Sequence, residues 1–211
     1  MKSDKSYLHI VEHYESCLEK FGDSHRGVDW PKLEDAETRY RVMLGLIPAK
    51  RPAQEISILD FGCGAAHLLE YMQSNSYDGL IYSGLDLSQH FIELCKQKFP
   101  VVDFYCMDIL ESSTELPMFD YIVLNGVFTE KRNLTFDEMR FYFCRLIQVA
   151  FEKARFGIAF NVMSSHVDWE RDDLFHLPMD MLADFLVKNI SRNFVIRNDY
   201  GLYEYTVYIY R

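Results

Sequence analysis

A short glycine-containing segment, Asp60-Phe-Gly62-Cys-Gly64-Ala-Ala66, is the part of this 211-residue chain best suited to binding a small ligand. Glycine lets the backbone turn tightly and approach a ligand that larger side chains would exclude. The segment follows an apolar run at 56–61 and precedes a helical pattern, so free N–H groups at the helix start offer hydrogen bonds to a carboxylate. The carboxylate of Asp60 adds a negative charge that suits a positively charged group and repels a pyrophosphate.

A second carboxylate, Asp86, follows the next predicted strand in the run Gly84-Leu-Asp-Leu-Ser88. At the carboxyl edge of that strand it can accept hydrogen bonds from both hydroxyls of an adenosine ribose. Dinucleotide-binding proteins share this arrangement, but their fingerprint is GxGxxG, and His67 stands where the third glycine would be. The sequence therefore does not favour a nicotinamide cofactor.

The run Asp-x-Gly-x-Gly-x-Ala resembles the acidic-x-Gly-x-Gly-x-Gly motif of class I S-adenosylmethionine-dependent methyltransferases, with Ala66 at the last glycine. We expect this departure to be mild, because the third glycine mainly serves close helix packing and alanine is the next smallest residue. Two later runs also match the family: Cys106-Met-Asp108-Ile109 and Phe119-Asp-Tyr-Ile-Val-Leu-Asn125-Gly126.

The resemblance extends from about Ile56 to Arg211 and implies that S-adenosylmethionine is the cofactor. In the family, the residue after the third strand and its apolar neighbour surround the adenine, and the end of the fourth strand borders the methyl group. The resemblance implies a set of cofactor contacts in this chain: Asp60, Gly62, Gly64, Asp86, Leu87, Asp108, Ile109 and Asn125.

The elements that position these residues follow from the apolar periodicity. Two helices come first, over 7–21 with Gly22 as its cap and from Pro31 to a segment at 48–52. Seven strands follow: Ile56–Phe61, Leu80–Leu85, Val102–Met107, Tyr121–Leu124, Phe156–Val162, Asn193–Arg197 and Tyr203–Tyr210. Predicted helices alternate with most of these strands but do not separate the last two. This pattern predicts an α/β fold with a mostly parallel, doubly wound sheet that ends in an antiparallel hairpin.

We predict a single domain over residues 1–211, with a helical lid region at 1–50 on a Rossmann-like core at 56–211. The polar segment Gly22–Trp30 is suited to closing over a site, although Trp30 could equally attach the second helix to the core. Arg39 could reach the cofactor carboxylate with both arms of its guanidinium. The alternative for Arg39 is an exposed ion pair with Glu34, Asp35 or Glu37.

Charge and cysteine usage restrict the partners. The net charge is −10, which argues against nucleic acid and membrane surfaces as partners and favours a small molecule. The amino terminus carries no apolar stretch fit for a signal peptide, and the five scattered cysteines contain no CxxC. We therefore expect a cytoplasmic protein with reduced thiols and no metal site.

The methyl acceptor is less well defined. The fourth strand ends in Asn125-Gly-Val-Phe128 instead of the Asn-Pro-Pro-Tyr of enzymes that methylate exocyclic amines, and no cysteine follows a proline. We expect a small-molecule acceptor methylated at oxygen. His166, in the long loop after the fifth strand, is the candidate general base, with Asp168 or a backbone carbonyl orienting its ring. The alternative is that His166 and His176 are ordinary loop residues and that the loop packs against Trp30.

Two further classes of function remain open. One is a methyltransferase-like module that binds the cofactor or a partner without catalysis, and the other is a nicotinamide-dependent oxidoreductase. Degenerate modules usually lose the glycines or the ribose carboxylate, whereas this chain keeps Gly62, Gly64 and Asp86.

Overall fold

The computed structural model describes residues 5–48 and 55–211 as one mixed sheet covered by helices on both faces. Of the segment expected to end the second helix, only Pro48 lies within the described residues. The α-helices are α1 Leu8–Phe21, α2 Leu33–Leu44, α3 His67–Ser74, α4 Gln89–Lys98, α5 Ile109–Ser112, α6 Phe136–Lys153 and α7 Met179–Asn189. Short 3-10 turns lie at His25–Val28 and Ser113–Glu115.

The strands are β1 Ile56–Phe61, β2 Leu80–Asp86, β3 Asp103–Cys106, β4 Phe119–Phe128, β5 Ala154–Ser164, β6 His176–Leu177, β7 Phe194–Arg197 and β8 Glu204–Tyr210. Their order in the sheet is β3-β2-β1-β4-β5-β8-β7. The strands from β3 to β5 run parallel, and β8 is antiparallel to both β5 and β7. The α/β class, the parallel sheet and the terminal hairpin predicted from the sequence are confirmed.

The sheet contains one strand more than the seven predicted. The additional strand, β6, is only two residues long and pairs in parallel with Met163 and Ser164 at the end of β5. It lies off the main path of the sheet, inside the region expected to be an irregular loop. A two-residue strand has no periodicity of its own, so the sequence pattern gives no signal for it.

Local sequence signals explain where several elements begin and end. Gly22 ends α1 with a φ of +63°, and its N–H donates to the carbonyl of Leu18 at 2.8 Å. Helix α6 begins at a capping box in which the Thr135 hydroxyl accepts from the Glu138 N–H and the Glu138 carboxylate accepts from the Thr135 N–H. Both ends agree with the sequence expectation.

The sheet separates two apolar layers. One layer packs α1, α6 and α7 against the sheet and contains a group of contacting rings: Phe128, Phe143, Phe160 and Phe175. The other packs α2, α3 and α4 against the opposite face around Ile58, Met43 and Leu69. Within the described residues, none of the helices combines the length and apolarity needed to cross a membrane.

Candidate functional site

A cleft opens at the carboxyl ends of β1, β2 and β4, where ligands bind in open α/β sheets. It measures about 970 Å³ including its open mouth. Its walls come from the glycine segment, the ends of β2 and β4, helix α1, the turn before α2, and α6. The lining residues include Tyr7, Tyr14, Val28, Trp30, Asp60, Gly62, Gly64, His67, Asp86, Leu87, Ser88, Asn125, Gly126 and Tyr142.

The glycine segment forms the floor of the cleft in a left-handed backbone conformation. The φ angles of Gly62, Gly64 and Ala66 are +72°, +50° and +59°. Helix packing, which we expected to be the main role of the third glycine position, is therefore not its whole role, since Ala66 occupies a backbone conformation that is strained for any residue with a Cβ. The segment is tied to β2, because the N–H groups of Gly62 and Cys63 both donate to the Leu85 carbonyl.

Asp86 lies in the wall of the cleft, as predicted. Its carboxylate accepts a hydrogen bond from the Gly64 N–H and another from the Ser88 N–H, both at 2.9 Å. Burial raises the pKa of Asp86, and these N–H donors oppose that shift. The carboxylate thus fixes the glycine segment to the end of β2 and retains lone pairs for further donors such as ribose hydroxyls.

Asp60 lies beneath the glycine segment and is 3% exposed. The Tyr82 hydroxyl donates to its Oδ2 at 2.8 Å. Burial raises the pKa of Asp60 to about 7, and the nearby charge of Asp86 adds to the shift. A positively charged group bound in the cleft would favour the ionised form of this carboxyl.

Asn125 ends the straight part of β4 and also lines the cleft. Its Oδ1 is buried and has no hydrogen-bond partner among residues 5–48 and 55–211. A buried acceptor without a partner is unfavourable unless a ligand supplies a donor. The next residue is held firmly, because the Gly126 N–H donates to Asn161 Oδ1 at 2.8 Å and Asn161 Nδ2 donates to Glu204 at 3.0 Å.

Arg39 does not line the cleft, and the structure places it differently from both sequence interpretations. Its Nε and Nη2 each lie 2.8 Å from Glu204 Oε2 on β8, and its guanidinium stacks 4.1 Å from the Trp30 ring. With a side chain that is 12% exposed, it forms a buried pair, so the exposed pair with Glu34, Asp35 or Glu37 is wrong. Its Nη1 is buried without a partner in the described part of the chain.

Asp108 and Ile109 are separated from the cleft by an aromatic pair. The Tyr7 hydroxyl donates to Asp108 Oδ2, Asp108 Oδ1 accepts from the Leu110 N–H at 3.0 Å, and Ile109 is buried in the core. Tyr7 stacks on Tyr142 with ring centroids 4.7 Å apart, and both rings line the cleft. The predicted adenine contacts therefore lie behind Tyr7, whereas Leu87 lies in the wall itself.

The turn before α2 covers the cleft by packing onto two glycines. A Cβ added to Gly64 would lie 3.0 Å from Val28, and one added to Gly126 would lie 2.7 Å from the Trp30 ring. Trp30 therefore contacts both the end of β4 and Arg39 of α2.

The loop after β5 does not bring a histidine to the cleft. His166 is exposed, lies outside the cleft wall, and donates its backbone N–H to Ser164 Oγ at 3.0 Å. His176 is buried with both ring nitrogens engaged, Nδ1 with the Ser164 carbonyl and Nε2 with the Arg171 N–H. Trp169 is 73% exposed, which leaves no sign that the loop packs against Trp30.

Sequence reasoning missed the aromatic wall that α1 contributes. The periodicity over 7–21 predicts a helix but gives no role to Tyr7 and Tyr14, and both rings line the cleft. Their spacing of seven residues places them on one face of the helix, which was the available signal. The spacing does not show whether the two rings pack in the core or line a ligand cleft, because both environments select the same residue types.

Comparisons with known proteins agree with this geometry. Residues 58–149 match the model of a methyltransferase domain. The candidate methyltransferase Rv1506c of Mycobacterium tuberculosis is 28% identical over 166 residues, which is 74% of this chain and 94% of that protein.

Two solved structures share the fold. The magnesium protoporphyrin IX methyltransferase of Synechocystis PCC 6803, crystallised with bound S-adenosylmethionine, is 13% identical with a TM-score of 0.67, over 100% of this chain and 99% of that one. An S-adenosylmethionine-dependent methyltransferase of Leishmania major is 15% identical with a TM-score of 0.66, over 98% and 83%. At these identities the likeness is one of fold.

Proposed function

Because this chain belongs to the class I S-adenosylmethionine-dependent methyltransferases, we propose that it transfers a methyl group from S-adenosylmethionine to an oxygen atom of a small-molecule acceptor. The observation that carries the proposal is the wall of acceptor atoms around the cleft. The carboxylates of Asp60 and Asp86 and the unpaired Oδ1 of Asn125 all face a ligand that must bring donors or positive charge. S-adenosylmethionine has an ammonium, a sulfonium and two ribose hydroxyls.

We assign the ribose hydroxyls to Asp86 and the ammonium to Asn125 and Asp60, above the backbone of Gly62 and Gly64. Leu87 packs beside the adenosine. Asp108 and Ile109 do not touch the cofactor and support Tyr7 from behind. Arg39 is not assigned to the cofactor carboxylate, because it lies outside the cleft wall and its Nε and Nη2 bind Glu204. A pyrophosphate would face two carboxylates in this cleft, which disfavours the nicotinamide alternative.

Methyl transfer from a sulfonium is an in-line displacement at the methyl carbon, in which the acceptor forms the new bond and the thioether leaves. It depends mainly on alignment and on an acceptor without its proton. The described cleft wall contains one histidine, His67, and its Nε2 is bonded to Asp23 at 2.8 Å. The half-buried Tyr14 is no base either, since burial raises the pKa of its hydroxyl. We therefore favour an acceptor oxygen that is already anionic near neutral pH, such as a carboxylate or an acidic phenol.

The part of the cleft that binds the acceptor lies between the end of β4 and the turn at 28–30, which we call the lid turn. Tyr14, Trp30 and Val28 present apolar surface there. Such a wall suits a small ring or chain more than a phosphate backbone, in keeping with the net charge of −10. The second candidate, a binding module without catalysis, would share this cleft and differ only in turnover.

Calorimetric titration with S-adenosylhomocysteine tests the cofactor. We expect binding to the wild type, weaker binding to Asn125→Ala, and unchanged binding to the control His166→Ala. Absence of binding at millimolar ligand would overturn the assignment of the cofactor.

Transfer from tritium-labelled S-adenosylmethionine, with a cell extract as the source of acceptors, tests the reaction. Label in the small-molecule fraction supports the proposal. Label in nucleic acid or protein would refute the acceptor class, and cofactor binding without any label would favour the binding module.

A further inference from the structure

We propose that His13, Cys17 and Asp29 form a binding site for a zinc ion between helix α1 and the turn that covers the cleft. Their donor atoms lie within 4.8 Å of one another. His13 Nε2 is the common neighbour, since Asp29 Oδ2 lies 2.8 Å and Cys17 Sγ 3.8 Å from it. The proposal goes beyond the methyl-transfer function and does not depend on it.

The spacing of these atoms is close to that of a tetrahedral zinc site. Bond lengths of ~2.0–2.1 Å to nitrogen or oxygen and ~2.3 Å to sulfur place the ligand atoms ~3.6 Å apart for the N···S pair and ~3.3 Å for the N···O pair. The observed N···S distance of 3.8 Å differs little from the first value, and the N···O distance of 2.8 Å would lengthen when the ion enters. These differences in distance need no backbone rearrangement, because rotation about the side-chain torsions supplies them.

Two elements hold the three side chains in this arrangement. His13 and Cys17 are four residues apart on α1 and therefore lie on one face of the helix. Asp29 closes the 3-10 turn His25–Val28 with a φ of +59°, a conformation that directs its carboxylate back to α1. The Cys17 thiol is buried, while the side chains of His13 and Asp29 are 20% and 35% exposed, which provides an entry path for the ion.

The donor set selects the kind of metal. A thiolate and an imidazole favour zinc and related transition metals over magnesium or calcium, which take oxygen ligands. Zn²⁺ would bind Nε2 of the neutral ring, whose proton then lies on Nδ1, and the Cys17 thiol would release its proton to solvent. Three protein ligands leave a fourth position for water.

The zinc site would include a residue of the lid turn at 28–30, which covers the cleft. Asp29 lies between Val28, which packs on Gly64, and Trp30, which packs on Gly126. A metal ion shared with α1 would hold both contacts in place over the cleft. We therefore expect zinc to tighten S-adenosylhomocysteine binding as a secondary effect.

The primary test measures metal binding alone. Chelator-treated, reduced protein is titrated with Zn²⁺ against a chromophoric competitor, and with Co²⁺ to observe the thiolate charge-transfer absorption. We expect one equivalent to bind, the cobalt band to disappear in Cys17→Ser, and affinity to fall at least ~10-fold in Asp29→Asn. The matched controls are Cys106→Ser, an exposed thiol at the end of β3, and His9→Gln, an exposed histidine on α1.

Failure of the wild-type protein to bind Zn²⁺ overturns the proposal, whatever the variants do. Retention of wild-type affinity and of the cobalt band in Cys17→Ser also overturns it. Because neither cofactor nor acceptor is present, this result leaves the proposed methyl transfer unaffected.

Discussion

Two carboxylates assigned to the cofactor differ in their access to the cleft. Asp86 lies in the wall, whereas Asp108 is covered by Tyr7. We expect Asp86→Ala to weaken S-adenosylhomocysteine binding by ~30-fold or more, because charge-assisted hydrogen bonds to two hydroxyls contribute a few kcal/mol. Asp108→Ala should change affinity by less than ~5-fold, since Tyr7 separates it from the ligand. Calorimetry on both variants checks this, and equal losses would contradict the placement of Tyr7.

The buried carboxyl of Asp60 predicts a pH dependence of stability. Its pKa rises from an ordinary 3.8 to about 7 on folding, so the folded chain holds this proton more tightly than the unfolded chain does. The contribution of Asp60 to stability therefore falls as pH rises towards 7 and levels off above it. Relative to the wild type, Asp60→Asn should gain ~2 kcal/mol of unfolding free energy between pH 5 and pH 8. Urea unfolding at the two values measures it, and a constant difference would show that Asp60 is ionised throughout.

At the scale of single residues, the sequence predicted which residues of the proposed ligand motif meet at one cleft, because each residue type there has a backbone or charge reason. Gly62, Gly64, Asp60 and Asp86 all lie at the cleft. The sequence does not predict the left-handed backbone of Ala66, because its φ of +59° depends on how α3 joins the segment. The His166 hypothesis lacks geometric support because a loop's path is set by tertiary contacts, here those of His176 and β6.

The packing of the turn before α2 on β4 predicts a specific effect of a single methyl group. Gly126→Ala combines strain at a φ of +80° with a Cβ 2.7 Å from the Trp30 ring, whereas Gly79→Ala has a similar φ of +78° and open space. Both should lose ~1–2 kcal/mol of stability from backbone strain. Gly126→Ala alone should also weaken S-adenosylhomocysteine binding and shift the fluorescence of Trp30.

The fluorescence is measured in a Trp169→Phe background, where Trp30 is the remaining tryptophan of two. Trp169 is exposed, so its replacement should leave the fold intact. Identical affinity and emission for Gly126→Ala and Gly79→Ala would show that the lid does not rest on Gly126.

Elements with strong periodicity were predicted closely, and those defined by pairing were not. Strand β1 has the predicted bounds, because its mostly apolar residues lie between polar Glu55 and the glycine of Gly62. Strand β4 was predicted as Tyr121–Leu124 and extends over Phe119–Phe128, since Gly126 and Asn125 interrupt the apolar run without ending the pairing with β5. Such extensions depend on the neighbouring strand and carry no local signal.

Across the whole molecule, a buried polar network joins α2 to the end of β4. Arg39 and Glu204 are 165 positions apart, and Asn161 connects Glu204 to the Gly126 N–H. Removing one charge leaves the other buried without its partner, which typically costs about 3–5 kcal/mol. We expect Arg39→Met to be strongly destabilising and the double variant Arg39→Met with Glu204→Gln to recover at least ~1 kcal/mol of the summed loss.

A double-mutant cycle by chemical unfolding measures this coupling. The control is the exposed i,i+4 pair Asp184 and Lys188, which lies 2.8 Å apart and should show a coupling of only ~0.3–0.5 kcal/mol. Coupling of the same size in both pairs would mean that burial adds nothing to the Arg39 interaction.

At this scale the α/β sheet with its terminal hairpin was predictable, because the alternation of strand and helix patterns restricts the topology. The partner of Arg39 was not, since a charged residue near an apolar helix face has many acidic candidates along the chain. The nearby acids Glu34, Asp35 and Glu37 were the obvious choice, and the fold instead selects Glu204.

The lid turn also bears on how fast ligands exchange. Val28 and Trp30 rest on glycine backbone, and the turn is also held by the hydrogen bond between Asp29 and His13 and by the stacking of Arg39 on Trp30. Release of a ligand enclosed beneath the turn should require these contacts to open. The association and dissociation rate constants of the cofactor should then both depend on the opening frequency of one short turn. Substitutions that change only this frequency should raise or lower both rate constants together.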